Sequence, residues 1–146
     1  MIADTHGKLR ESAVTALQGV DAIVHAGDVG GWRIVEALRA IAPLHAVMGN
    51  VDLPDGTLPA AIDCVLDGVR MHVSHGHELG SPTPAALVAR YAADVIVFGH
   101  THRAVVAEIG STLVVNPGAA GPARFDLKPS VALLTLPERT ARIVWL

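Results

Sequence analysis

The chain has 146 residues, carries 11 Lys and Arg against 14 Asp and Glu for a formal charge of −3, and is 51% hydrophobic but only 3% aromatic. A chain of this length can withdraw roughly two thirds of its unfolded surface from water, so one domain over residues 1–146 with an aliphatic core is expected, and the lack of any Lys/Arg cluster argues against a broad nucleic-acid surface. No apolar run reaches the roughly 20 residues of a membrane span, and the N-terminus lacks a basic segment followed by an apolar one, so the expectation is a cytoplasmic protein without a membrane partner. Cys64 is the only cysteine, which excludes an internal disulfide and a thiolate metal cage.

In chain order, Met1, Ile2 and Ala3 form a short apolar run that ends at Asp4, Thr5, His6 and Gly7. The run "DAIVHAGD" reads as a strand ending at Gly27 and Asp28, and "WRIVEALRAIA" reads as a helix with Ile34, Val35, Leu38 and Ile41 on its buried face. "LHAVM" then ends at Gly49, Asn50, Val51 and Asp52, and "VRMHVSHGH" ends at His75, Gly76 and His77. "SPTP" turns the chain into a second helix, "TPAALVARYAA", because Pro suits loops and first helical turns but not helix interiors. "DVIVFGHTH" is a strand ending at Gly99, His100, Thr101 and His102, and "SVALLTL" and "ARIVWL" flank "PERT" as a closing hairpin. Strands alternating with helices predict an α/β domain.

Five of these runs end in the same way, with polar residues beside glycine. In open α/β sheets, ligands bind beyond the carboxyl ends of the strands, so five such ends can converge on one crevice. Asp, His and Asn donors without thiolates suit Mn, Fe, Co, Ni or Zn. Asp4 and His6, like His100 and His102, put two donors on one turn, while Asp28 adds a carboxylate able to bridge two cations. Two metals about 3.5–4 Å apart polarise a phosphoryl oxygen and acidify a shared water.

The ordered set "DTHG", "GDV", "GNVD", "HGH", "GHTH" and "NPGA" resembles the calcineurin-like metallophosphoesterases, in particular the short YfcE-type phosphodiesterase branch, over nearly the whole chain. The resemblance implies a β-sandwich flanked by helices in α-β-β-α layers. It implies that Asp4, His6, Asp28 and His102 hold one divalent ion and that Asp28, Asn50, His75 and His100 hold the other, with Mn as the expected metal. The implied activity is hydrolysis of a phosphodiester or phosphomonoester by in-line attack of a metal-bridging hydroxide.

Two departures stand out. Relatives carry a longer apolar strand before the first Asp-x-His, so the first strand reads as clipped and a start further upstream is expected. Val51 stands where larger phosphatases of the superfamily have a histidine and the short branch typically has cysteine; valine neither donates a proton nor ligates. His77 is then the best candidate for proton donation, and aryl phosphodiesters are expected to turn over better than alkyl monoesters. Asp52 reads either as a carboxylate that orients a ligand or as a strand terminator. His25, His45 and His72 lie in apolar runs and read as packed residues; Asn116 and Gly118 read as a supporting loop. The competing class is a protein-binding scaffold of the same fold, as in the similar retromer subunit, and a homo-oligomer is compatible with the pattern. A metallo-β-lactamase type would need a His-x-His-x-Asp-His run, which "HGHELG" does not supply.

Overall fold

A computed structural model describes residues 1–123 and 126–146. The first strand-helix-strand unit runs from β1 (Ile23–Ala26) through α2 (Trp32–Arg39) to β2 (Leu44–Val47), and β1 and β2 pair in parallel. A short helix, α1 (Glu11–Ala16), precedes it. Residues 1–3 lie along the free edge of β1: Ile2 donates to the Val24 carbonyl at 2.8 Å and accepts from Ala26 at 2.9 Å. On their other side, the Met1 amine and carbonyl exchange hydrogen bonds with Ala132 at 2.7 and 3.0 Å. Ala132 belongs to β8 (Ser130–Thr135), which forms the expected closing hairpin with β9 (Thr140–Trp145). The brief "MIA" run is thus a central seam that ties two two-stranded ladders into one layer.

The second layer is a five-stranded sheet in the order β3-β4-β5-β7-β6, with β3 (Ala61–Leu66), β4 (Val69–Ser74), β5 (Val95–Val97), β6 (Val105–Ile109) and β7 (Thr112–Asn116). Its three central strands run parallel, and β3 and β6 are antiparallel edges. Aliphatic residues fill the space between the layers, Ala3, Val24, Ala26 and Val47 from one and Met71, Val73, Val95, Val97 and Val115 from the other. Aliphatic side chains of this kind, most of them valine, pack on pleated surfaces without needing aromatics.

Helices cover both outer faces. Ile34, Val35 and Leu38 of α2 are buried with Ala13 and Leu17 against the first layer. Ile41 lies just past the end of that helix and packs, partly buried, on the same cluster. On the opposite face, Leu87 of α3 (Pro84–Arg90) packs with Ile96, Phe98 and Val114. Helix α3 starts as Pro84 predicts, with Thr83 as N-cap accepting from the Ala86 amide at 3.2 Å. The architecture is a β-sandwich between helical layers.

Four elements, α1, β3, β6 and β7, lie outside the runs identified from sequence. The β3–β4 hairpin had a signal: Asp67 and Gly68, both at positive φ, join its strands, and an Asp-Gly pair between apolar alternations favours a tight two-residue turn. No helix among the described residues is long and apolar enough to cross a membrane.

Candidate metal centre

Parallel pairing puts the carboxyl ends of residues 1–3, β1 and β2 on one edge of their layer and those of β4 and β5 on one edge of theirs. The clusters that end these strands meet there. Backbone conformation at this edge is unusual: Asp4, His6, Asp28, His100 and His102 all have φ between 45 and 67°. Side chains other than glycine adopt that region at a cost, which concentrates where surrounding structure holds a functional geometry.

Asp4 is fully buried, and neither carboxylate oxygen has a hydrogen-bond partner among the described residues. Its Oδ1 lies 3.3 Å from His102 Nε2 and 3.9 Å from His6 Nε2, and those two ring nitrogens are 3.2 Å apart. Asp4, His6 and His102 therefore form one group able to converge on a cation, and Asp4, Asp28 and His75 form a second.

Asp28 lies between them. Its Oδ2 is 3.3 Å from His75 Nε2 and 3.7 Å from His6 Nε2, and its Oδ1 accepts the Val51 amide at 3.1 Å. Burial pushes this carboxyl up, but the His75 hydrogen bond and charge, the Val51 amide and His6 outweigh it and hold the group at about 2. Burial likewise works against protonation of His75, while Asp28, the Ala26 carbonyl and Asp4 raise it above its ordinary value.

The His75 ring is fixed by its other nitrogen. Nδ1–H donates to the Ala26 carbonyl at 2.8 Å, an assignment made from this network, which aims Nε2 at Asp28 Oδ2 and at Asn50 Oδ1, 3.2 Å away. A neutral Nε2 has a lone pair facing two oxygens, an arrangement that a cation between them makes favourable. Two buried carboxylates with no Lys or Arg paired to them among the described residues carry the same implication, because buried charge is costly unless paired or bound to metal. Among the described residues the one Arg–carboxylate pair, Arg70 with Asp94, lies elsewhere.

The remaining sequence candidates are placed as follows. The His100 and His102 rings part company, His102 towards Asp4 and His6, and His100 edge-on to His75 with ring centroids 5.1 Å apart. His77 opens a short 3-10 turn, half-buried, with its ring 5.5 Å from that of His75 and 6.3 Å from that of His100. Asp52 has no hydrogen bond to a candidate ligand side chain among the described residues; its carboxylate accepts three backbone amides, from Val29 at 3.0 Å, Gly30 at 2.8 Å and Gly49 at 2.8 Å. It thereby binds the loop carrying Asp28 to the loop carrying Asn50. Gly49 permits their close approach, since a Cβ there would strike Asp28 Oδ1 and the Asp28 amide nitrogen.

Of two supporting contacts, that of Thr5 is not singled out by the sequence, whereas Asn116 falls in the loop read from sequence as supporting. Thr5 Oγ1 donates to the Val29 carbonyl at 2.8 Å and lies 2.9 Å from Nε2 of the fully buried His25, linking the Asp4–His6 turn to the Asp28 loop. Burial pushes the His25 imidazole down to about 3, so it is neutral there. Asn116 Nδ2 donates to the Gly99 carbonyl at 2.8 Å and to Thr101 Oγ1 at 3.0 Å, so the "NPGA" loop braces the turn that presents His100 and His102. His72 pairs with Asp63 and stacks on Tyr91, away from the cluster.

A helix-flanked sandwich with carboxylates and imidazoles gathered at its strand ends defines a metallohydrolase scaffold, and residues 1–139 match the calcineurin-like phosphoesterase superfamily domain, to which the chain belongs. A probable metallophosphoesterase of Methanothermobacter thermautotrophicus is 30% identical over 147 residues, covering 93% of this chain and 84% of that protein. Among solved structures, the phosphoesterase YfcE of E. coli shares 25% identity at a TM-score of 0.69, over 98% of this chain and 96% of the other. Vps29 of Chaetomium thermophilum shares the fold at a TM-score of 0.82 and 21% identity, over 99% and 92% of the two chains.

Proposed function

We propose that the chain is a dinuclear metal-dependent phosphodiesterase, with Asp4, His6, Asp28 and His102 holding one divalent ion and Asp28, Asn50, His75 and His100 the other, Mn being the preferred metal. The observation that carries the reading is Asp4, a fully buried carboxylate with no hydrogen bond among the described residues, whose oxygen is faced by two imidazole nitrogens. When bound, the ion pair supplies an acidified water for in-line attack and positive charge for the phosphoryl oxygens.

The chain's own residues do the rest. Asp28, held ionised by its neighbours, presents one oxygen to the cluster while the Val51 amide engages the other. His75 is locked with Nε2 inward by the Ala26 carbonyl. Asp52 fixes the spacing of the Asp28 and Asn50 loops from behind, as a positioning residue. His77, beside His75 and His100, donates a proton to the departing oxygen. Val51 has no proton to give, so substrates whose leaving group departs as a stable phenolate are favoured over alkyl monoesters.

The test is hydrolysis of bis(p-nitrophenyl) phosphate after loading with Mn. Turnover that disappears in Asp28→Ala and His100→Ala is expected; full activity in Asp28→Ala rejects the assignment, and faster hydrolysis of an alkyl monoester rejects the diester preference. A scaffold that binds protein partners is the second reading and draws on the Vps29 likeness. The full donor set favours the enzyme, and an inert, metal-replete protein with a stable partner would reverse that ranking.

A further inference from the structure

Beside the metal-ligand cluster, between the start of α2 and the 49–58 loop, lies an open cleft of about 500 Å³ walled by Trp32, Val51, Leu53 and Leu58. Three of these side chains are unusually open to water for apolar groups: Trp32 is 49% exposed, Val51 53% and Leu53 80%. Single exposed apolar residues are ordinary, but a group of them on one concave surface marks a binding site.

The cleft is continuous with the cluster. Val51 follows Asn50, whose Oδ1 is 3.2 Å from His75 Nε2, and the Val51 amide itself donates to Asp28 Oδ1. Its electrostatics select the occupant. Among the described residues no Lys or Arg lines it, and its two carboxylates are already engaged, Asp52 by three backbone amides and Asp55 by the amide and hydroxyl of Thr57. Among the described lining residues a second anionic group finds no counter-charge. A flat, uncharged ring finds the Trp32 indole, which the Arg39 guanidinium, 5.0 Å from the ring centroid, helps to hold in place.

We infer that this cleft is the subsite for an aromatic ester substituent of the phosphodiester substrate, with Trp32 as the stacking surface and Val51 and Leu53 as walls. The inference rests on the reading of the neighbouring cluster as a phosphodiesterase centre. Contacts of this kind are made equally in the bound substrate and the transition state, so they act on KM and leave kcat nearly unchanged.

Two measurements test it. In a Trp145→Phe background, where Trp32 is the sole tryptophan, its emission is followed during titration with diphenyl phosphate, dimethyl phosphate or thymidylyl-thymidine. A saturable blue shift with diphenyl phosphate and none with dimethyl phosphate is expected; a shift with the dinucleotide as well extends the site to nucleobases. No shift with either aromatic ligand, or an equal shift with dimethyl phosphate, overturns the subsite. With bis(p-nitrophenyl) phosphate and the Mn-loaded protein, Trp32→Ala and Leu53→Ser each raise KM about tenfold, with kcat held within about twofold. An unchanged KM in both variants also overturns it. Ring binding at Trp32 without turnover of any diester rejects the phosphodiesterase reading and leaves the subsite standing.

Discussion

Asp52→Asn removes no metal ligand, yet it is expected to weaken metal binding. Oδ2 of Asp52 accepts the Val29 and Gly49 amides and Oδ1 accepts the Gly30 amide. An asparagine keeps one oxygen. Turned to retain the two bonds on the Oδ2 side, it loses the Gly30 bond and sets its own N–H₂ against that amide; turned the other way, it loses two bonds. The first choice costs about 2 kcal/mol, the size of one hydrogen bond to a charged acceptor. For a chain of this length that corresponds to a fall in Tm of about 4–8 °C. The two loops so loosened carry Asp28 and Asn50, and loss of outer supports of this kind typically lowers metal affinity about 10–100-fold. Thermal unfolding of the metal-free protein measures the first effect, and Mn titration by calorimetry at a temperature where the variant is folded measures the second. Unchanged Mn affinity in a variant that has lost the expected stability would refute the claim that Asp52 acts on the cluster through the backbone.

Further outcomes follow from the same contacts. Gly49→Ala places a methyl group against the Asp28 carboxylate, so it is expected to cost about 1–3 kcal/mol in denaturant unfolding and to impair Mn binding; a variant that binds Mn like the parent would contradict that packing. His25 titrates at about 3 when folded against 6.5 for the free group. Between those values the unfolded chain binds a proton that the folded chain refuses, so this contribution is complete above pH 6.5 and is lost as pH falls towards 3, with a slope of at most about 1.4 kcal/mol per pH unit. His25→Gln flattens the decline in that window, and parallel stability curves for variant and parent would contradict it. The raised His75 acts in the opposite sense in the metal-free protein, contributing most below pH 6.5 and losing that contribution as pH rises through its folded value.

The residues that gather at the strand ends were legible because each sits at a sequence-local transition, an apolar strand stopping at glycine and a polar side chain. The face of α2 was legible for a similar reason, since Ile34, Val35 and Leu38 obey helical spacing. What periodicity does not carry is pairing across the chain. That residues 1–3 connect β1 to β8 depends on contacts more than a hundred positions apart, and the short "MIA" run holds its place through backbone bonds on both sides rather than through length. Asp52 presented the same difficulty: strand terminator and ligand-orienting carboxylate predict the same residue type, and only the three amides around it distinguish them from what it does, which is to join two loops. The Trp32 cleft was invisible for a different reason. Its walls come from a helix start and an irregular loop, where exposed apolar residues follow no period.

The central claim is that carboxylates and imidazoles from five segments are built to hold a pair of ions. Anomalous diffraction from crystals equilibrated with Mn measures this most directly. Two peaks about 3.5–4 Å apart, with Asp28 contacting both, Asp4, His6 and His102 on one and Asn50, His75 and His100 on the other, are expected. A pocket empty at saturating Mn, or a single ion that leaves Asn50, His75 and His100 uncoordinated, would contradict it.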